Sequence, residues 1–130
     1  MVKTTISVLL VDDNSVFRDL AVRFLRTLPG IVVAGTATGG AEGLVRAQEL
    51  HPDLVVMDLH MRDENGLQVI PRLRALLPQI GIIALSLLDP DGFRQATLRV
   101  GADEFVDKMT MSNDLLPAMQ RVAQQAWACV

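Results

Sequence analysis

The chain has 130 residues, half of them hydrophobic, which suits a single domain over residues 1–130 with a real core. A net charge of −3, a pI near 5.2 and 4% aromatic residues argue against a nucleic-acid-binding surface, which is usually basic and rich in stacking side chains. The single cysteine, Cys129, can form no internal disulfide, no secretory signal precedes the first apolar run, and the longest mostly apolar run (Ile80 to Leu88) is far too short to span a membrane. A soluble cytoplasmic protein is expected.

Apolar runs and helix-spaced segments alternate along the chain. Val8–Val11 reads as a first strand. Val16, Leu20, Phe24 and Leu28 then recur every fourth residue as the apolar face of a helix, capped by Asn14 or Ser15 and stopped by Pro29-Gly30. Ile31–Ala34 is a second strand, followed by a small-residue helix through Ala41, Leu44, Ala47 and Gln48 that ends at His51-Pro52. Leu54–Met57 is the third strand. Leu67, Ile70, Leu73 and Leu77 mark a third helix, with Pro71 deep enough to kink it. Ile82–Leu85 precedes a helix through Phe93, Ala96, Thr97 and Val100, and the weaker strand Glu104–Val106 precedes one through Leu115, Met119, Val122 and Ala126. The first four runs are continuous rather than alternating, as in strands buried on both faces of a parallel sheet. Five strand–helix repeats give an α/β fold with right-handed crossovers and helices on both faces.

In open sheets of this kind ligands gather beyond the carboxyl ends of the strands. Asp12 and Asp13 follow the first strand, Asp58 the third, Ser86 the fourth and Lys108 the fifth. Each alone has a bland explanation: a helix cap, a loop residue, a turn hydroxyl, a surface charge. Together they would put three acids, a hydroxyl and an ammonium group at one end of one sheet. Crowded carboxylates repel one another, and a hard divalent cation such as Mg2+ relieves that through oxygen ligands. The same cation neutralises a transferring phosphoryl group, the lysine holds a phosphoryl oxygen as a point charge, and an aspartate can form an acyl phosphate.

Four segments resemble a known family. Val8 to Asn14 resembles the opening of response-regulator receiver domains of two-component signal transduction. Asp58-Leu59-His60-Met61 with Gly66 resembles their phosphorylation segment, Ala84-Leu85-Ser86 their fourth-strand end, and Gly101 to Lys108 their fifth-strand segment. The resemblance covers roughly Ser7 to Ala126, and Gly35-Thr36-Ala37 is most similar to receivers that precede helix-turn-helix output domains. It implies a (βα)5 doubly wound, flavodoxin-like, five-stranded parallel sheet of order 2-1-3-4-5. Asp58 would be the phosphoacceptor. Asp13, Asp58 and the backbone carbonyl of His60 would ligate Mg2+, with Asp12 acting directly or through water. Lys108 and Ser86 would hold phosphoryl oxygens, and Ser86 and Phe105 would form the switch pair, Phe105 turning inward.

The donor would be a sensor histidine kinase or phosphotransfer protein. The readout would be a downstream protein or a fused output domain, or a homodimer through the face of the fourth helix, fifth strand and fifth helix, near which lie Met109, Met111, Leu116 and Met119. No membrane and no direct nucleic-acid contact are expected. Such a domain catalyses its own phosphorylation and hydrolysis without being primarily an enzyme. A Mg2+-dependent aspartyl-phosphate phosphatase and an unphosphorylated interaction module are the competing readings. The first lacks an Asp-x-Asp pair and room for a substrate cap.

Departures from the family pattern carry their own expectations. Met109 replaces the usual proline after Lys108, so the Lys108-Met109 peptide is expected trans, or else strained cis, with some shift of the amine. Arg62 replaces a proline and Glu64 an apolar residue, so the loop from Arg62 to Asn65 is expected to be solvated and mobile, a partner contact being the sharper reading. Phe105 lacks a tyrosine hydroxyl and would turn inward by burial alone, or stay buried throughout. Leu88 is expected to hinder water and prolong the phosphorylated form, and the His60 ring is not expected to bind metal.

Overall fold

The computed structural model describes residues 5–87 and 93–128, the last three by backbone alone. Leu88 and Cys129 lie outside the described residues. Five parallel strands pair in the order β2-β1-β3-β4-β5, where β1 is Ile6–Val11, β2 Ile31–Ala37, β3 Leu54–Asp58, β4 Gly81–Ser86 and β5 Glu104–Asp107. The intervening helices are α1 (Ser15–Thr27), α2 (Gly40–Leu50), α3 (Gly66–Leu76), α4 (Phe93–Arg99) and α5 (Met111–Ala128). The flavodoxin-like order expected from the resemblance is the one found.

Every residue of β3 and β4 is buried. Their continuous apolar runs leave no face for water, and two cores form. Leu9, Val11, Val55, Met57, Ile82 and Ala84 pack on one side of the sheet. Val8, Leu10, Val56, Ile83 and Leu85 pack on the other, with Ala21 and Leu25 of α1 and Leu115 and Met119 of α5. β2 behaves differently from the buried run expected there. As an edge strand it is covered only in part, and Val32 is half exposed. It also runs on to Ala37, past an irregularity opposite Val8 and Leu9, so that Gly35, Thr36 and Ala37 pair with Leu9, Leu10 and Val11.

The apolar face of α1 needs correction. Val16 is 68% and Leu20 57% exposed, and the inner residues are Ala21 and Leu25, with Phe17, Phe24 and Leu28 partly buried beside them. A ladder of every fourth residue drifts about 40° per step on a 3.6-residue helix. A series that ends facing the core at Leu28 therefore begins facing water at Val16. The cap is Asn14, whose side chain accepts from the Phe17 N–H at 3.0 Å. Pro71 lies inside α3 and does not end it.

Gly66 opens α3 hard against the segment that carries Asp58. A Cβ built there would meet the Leu59 Cα at 2.9 Å and the Asp58 carbonyl oxygen at 3.3 Å. Backbone cannot yield as a side-chain tip can, so Gly66→Ala is expected to lower stability by about 1–3 kcal/mol, the usual cost of overpacking. A shifted urea midpoint at unchanged m-value checks this.

Candidate functional site

The strand ends deliver their polar residues to one place. Asp12 is fully buried just past β1. One of its oxygens accepts from the Asn14 N–H at 2.8 Å and the other from the Lys108 Nζ at 2.8 Å. Asp58 closes β3, with one oxygen 3.2 Å from the His60 N–H and the other 3.5 Å from the Lys108 Nζ. One oxygen from each of Asp12, Asp13 and Asp58 lies within 4.8 Å of the other two. Removal from water raises the Asp58 pKa above 3.8, the nearby Asp12 charge adds to that, and Lys108 and the His60 N–H oppose it without cancelling it.

Lys108 is the counter-charge. Its side chain is 10% exposed, and its amine sits 4.0 Å from the centre of the Phe17 ring, a cation–π contact that helps hold it over the acids. The described residues contain no cis peptide, so Lys108-Met109 is trans. Met109 supplies an N–H that proline would lack, and it donates to the Asp107 side chain at 2.8 Å, opening a short 3-10 turn over Lys108–Thr110. Lys108 reaches the acids from that turn, contacting Asp12 more closely than Asp58.

Ser86 ends β4 fully buried, its hydroxyl 3.4 Å from the Nε2 of His60. The His60 ring packs 5.2 Å from that of Phe93. It is not among the three clustered oxygen donors. Phe105 is 4% exposed, in the core on the α4 side, and the Arg94 guanidinium lies 4.8 Å from its ring centre. Met119 is core and Met109 is 75% exposed, so these two methionines do not share one surface.

The loop from Arg62 to Asn65, expected to be solvated and mobile, is exposed at Arg62, Asp63 and Asn65, and it is tied on both sides. The backbone N–H of Arg62 donates to an Asp13 oxygen at 2.8 Å and its Nε to the same oxygen at 3.3 Å. The next residue, Asp63, accepts from the N–H groups of Gly40 and Ala41 at the start of α2. Desolvation works against this carboxylate, but those two N–H groups and that of Glu64 prevail and hold its pKa below the usual 3.8. Glu64 pairs with Arg72 at 2.8 Å, and Asn65 caps α3. Polar residues here replace apolar packing with ion pairs and caps. Arg62 is the site residue that sequence reading missed. Its only signal was standing four residues after Asp58 in place of a proline.

Three carboxylate oxygens with no nitrogen or sulfur donor are the set a hard cation of the Mg2+ kind takes, and a single buried amine leaves room for its charge. A family model described as the response regulator receiver domain matches residues 8–120. The chain belongs to that family. Receiver domains are the phosphorylation-dependent switches of two-component systems and are generally not classical enzymes, and the family generally uses Mg2+ at an acidic pocket.

Among relatives of this receiver domain, the response regulator protein VraR of Staphylococcus aureus is 33% identical over 92% of the chain, which spans only 57% of VraR. The response regulator domain of Thermotoga maritima CheB superposes with a TM-score of 0.85 at 27% identity, over 92% of this chain and 97% of that one. A LuxR-family two-component response regulator from Aurantimonas sp. SI85-9A1 gives 0.88 at 25% identity, over 93% and 86%. Among the described residues no helix is long and apolar enough to cross a membrane.

Proposed function

We propose that Asp58 accepts a phosphoryl group from the phosphohistidine of a sensor histidine kinase or phosphotransfer protein, in a Mg2+-dependent reaction, and that the acyl phosphate so formed changes the partner surface around α4, β5 and α5. The observation that carries this reading is the Lys108 amine lying between buried Asp12 and Asp58, with Asp13 completing an oxygen cluster. An Asp58 oxygen bonds to phosphorus while the P–N bond to the donor breaks and the imidazole leaves with a proton. The Lys108 amine holds one phosphoryl oxygen and the Ser86 hydroxyl donates to another. Mg2+ would be held by Asp13, Asp58 and the His60 carbonyl, with Asp12 directly or through water, and supplies charge neutralisation at the transferring group. Phe105 already lies inside the core, and its coupling to Ser86 across β4 and β5 is the switch this reading assigns. The host compartment on this reading is the cytoplasm.

Incubating the protein with acetyl phosphate and Mg2+ should add one phosphoryl mass to the intact chain, and chelation should prevent it. No gain would return the chain to the reading of an unphosphorylated interaction module. Turnover of small phosphate esters would favour the phosphatase reading.

Val16 and Leu20 of α1, Leu87 just after Ser86 and Met109 just after Lys108 are exposed apolar residues on segments that begin beside the acids. On this reading a kinase presenting its phosphohistidine covers the start of α1. Leu20→Glu is expected to slow phosphotransfer from the cognate kinase about tenfold, the cost of roughly 1.4 kcal/mol at an interface, and to leave acetyl-phosphate labelling unchanged. Equal slowing of both reactions would contradict it.

A further inference from the structure

Arg62 makes an unusual pair for a loop residue. Both its backbone N–H and its guanidinium Nε converge on one oxygen of Asp13, at 2.8 and 3.3 Å. The side chain itself is 88% exposed, so packing does not put it there, whereas the Asp13 carboxylate it reaches is only 17% exposed. The loop beneath is fastened independently: Asp63 takes two N–H groups of α2, and Glu64 pairs with Arg72. Arg62 is thus held at the mouth of the acidic cluster. Lys108 answers the charge of Asp12 and Asp58 from inside, and Arg62 answers that of Asp13 from outside.

A divalent cation at the cluster would use the same Asp13 carboxylate. Two cations sharing one carboxylate repel each other, and the bond to Nε uses lone-pair capacity on one of its oxygens. We propose that Arg62 is a built-in counter-cation that competes with the divalent cation for Asp13 and lowers the metal affinity of the site. This rests on the reading of the cluster as a Mg2+ site. Because the guanidinium is largely in water, its effect is that of a surface ion pair, modest and sensitive to salt.

The test is a calorimetric titration of the whole chain with Mg2+ alone, on the parent, Arg62→Gln and Arg62→Lys, at low and high ionic strength. Arg62→Gln is expected to bind Mg2+ about threefold more tightly at low salt. The gain should shrink at high salt, and Arg62→Lys, which keeps the charge, should stay close to the parent. Equal or weaker binding by Arg62→Gln overturns the role of Arg62 and leaves the metal site standing. Absence of Mg2+ binding in all three proteins overturns the metal site and the role of Arg62 with it.

Discussion

Lys108→Met is expected to cost the metal-free protein about 3–5 kcal/mol, because removing one partner of a buried ion pair strands the other. Asp12 is fully buried, and the amine at 2.8 Å is the charge that answers it. Without that amine, Asp12 and Asp58 face one another with Asp13 nearby, opposed by the exposed Arg62 on Asp13 and by the Arg18 guanidinium, which reaches the Asp12 carbonyl and not its carboxylate. Methionine keeps most of the side-chain volume, so the loss reports charge rather than a cavity. Urea unfolding in chelator should show it. Millimolar Mg2+ should recover part of the lost stability by binding the folded state alone. A variant as stable as the parent in chelator would mean that the amine does not hold the acidic cluster together.

Asp58→Asn is expected to abolish phosphoryl uptake from acetyl phosphate, since the amide offers no carboxylate nucleophile. The same substitution should make the metal-free protein more stable near neutral pH. The sign follows from the raised pKa of Asp58, which burial causes. The folded state binds this proton more tightly than the unfolded chain does. The group therefore favours folding below about pH 3.8, and that contribution is lost as pH rises through the higher native value. At pH 7 the parent carries a buried charge that asparagine does not. The gain of Asp58→Asn should vanish in acid, and Mg2+ should narrow it at neutral pH by favouring the parent's carboxylate. Parallel stability–pH curves for the two proteins would contradict this.

Much of this was legible because the physics was local or periodic. The uninterrupted apolar runs of β3 and β4 announce strands with no wet face, and both are wholly buried. A parallel sheet also brings its strand ends together, so Asp12, Asp58, Ser86 and Lys108 could be placed at one edge before any distance was known. The inner face of α1 was misread because a four-residue ladder is not quite the helical period, and Val16 and Leu20 point to water. The tie between Arg62 and Asp13 was invisible for another reason. The two residues stand 49 positions apart, and an arginine in a polar loop has the same sequence signature whether it pairs or not. The trans Lys108-Met109 peptide was expected, but not that Asp107 would use the Met109 N–H to set the turn.

The central claim is that the buried acid beneath Lys108 takes the phosphoryl group. Borohydride reduction after labelling with acetyl phosphate and Mg2+ converts an aspartyl phosphate to homoserine, and tandem mass spectrometry then reads the position. Homoserine at residue 58 and nowhere else is the expected result. Homoserine at Asp12 or Asp13 with residue 58 unchanged would contradict it.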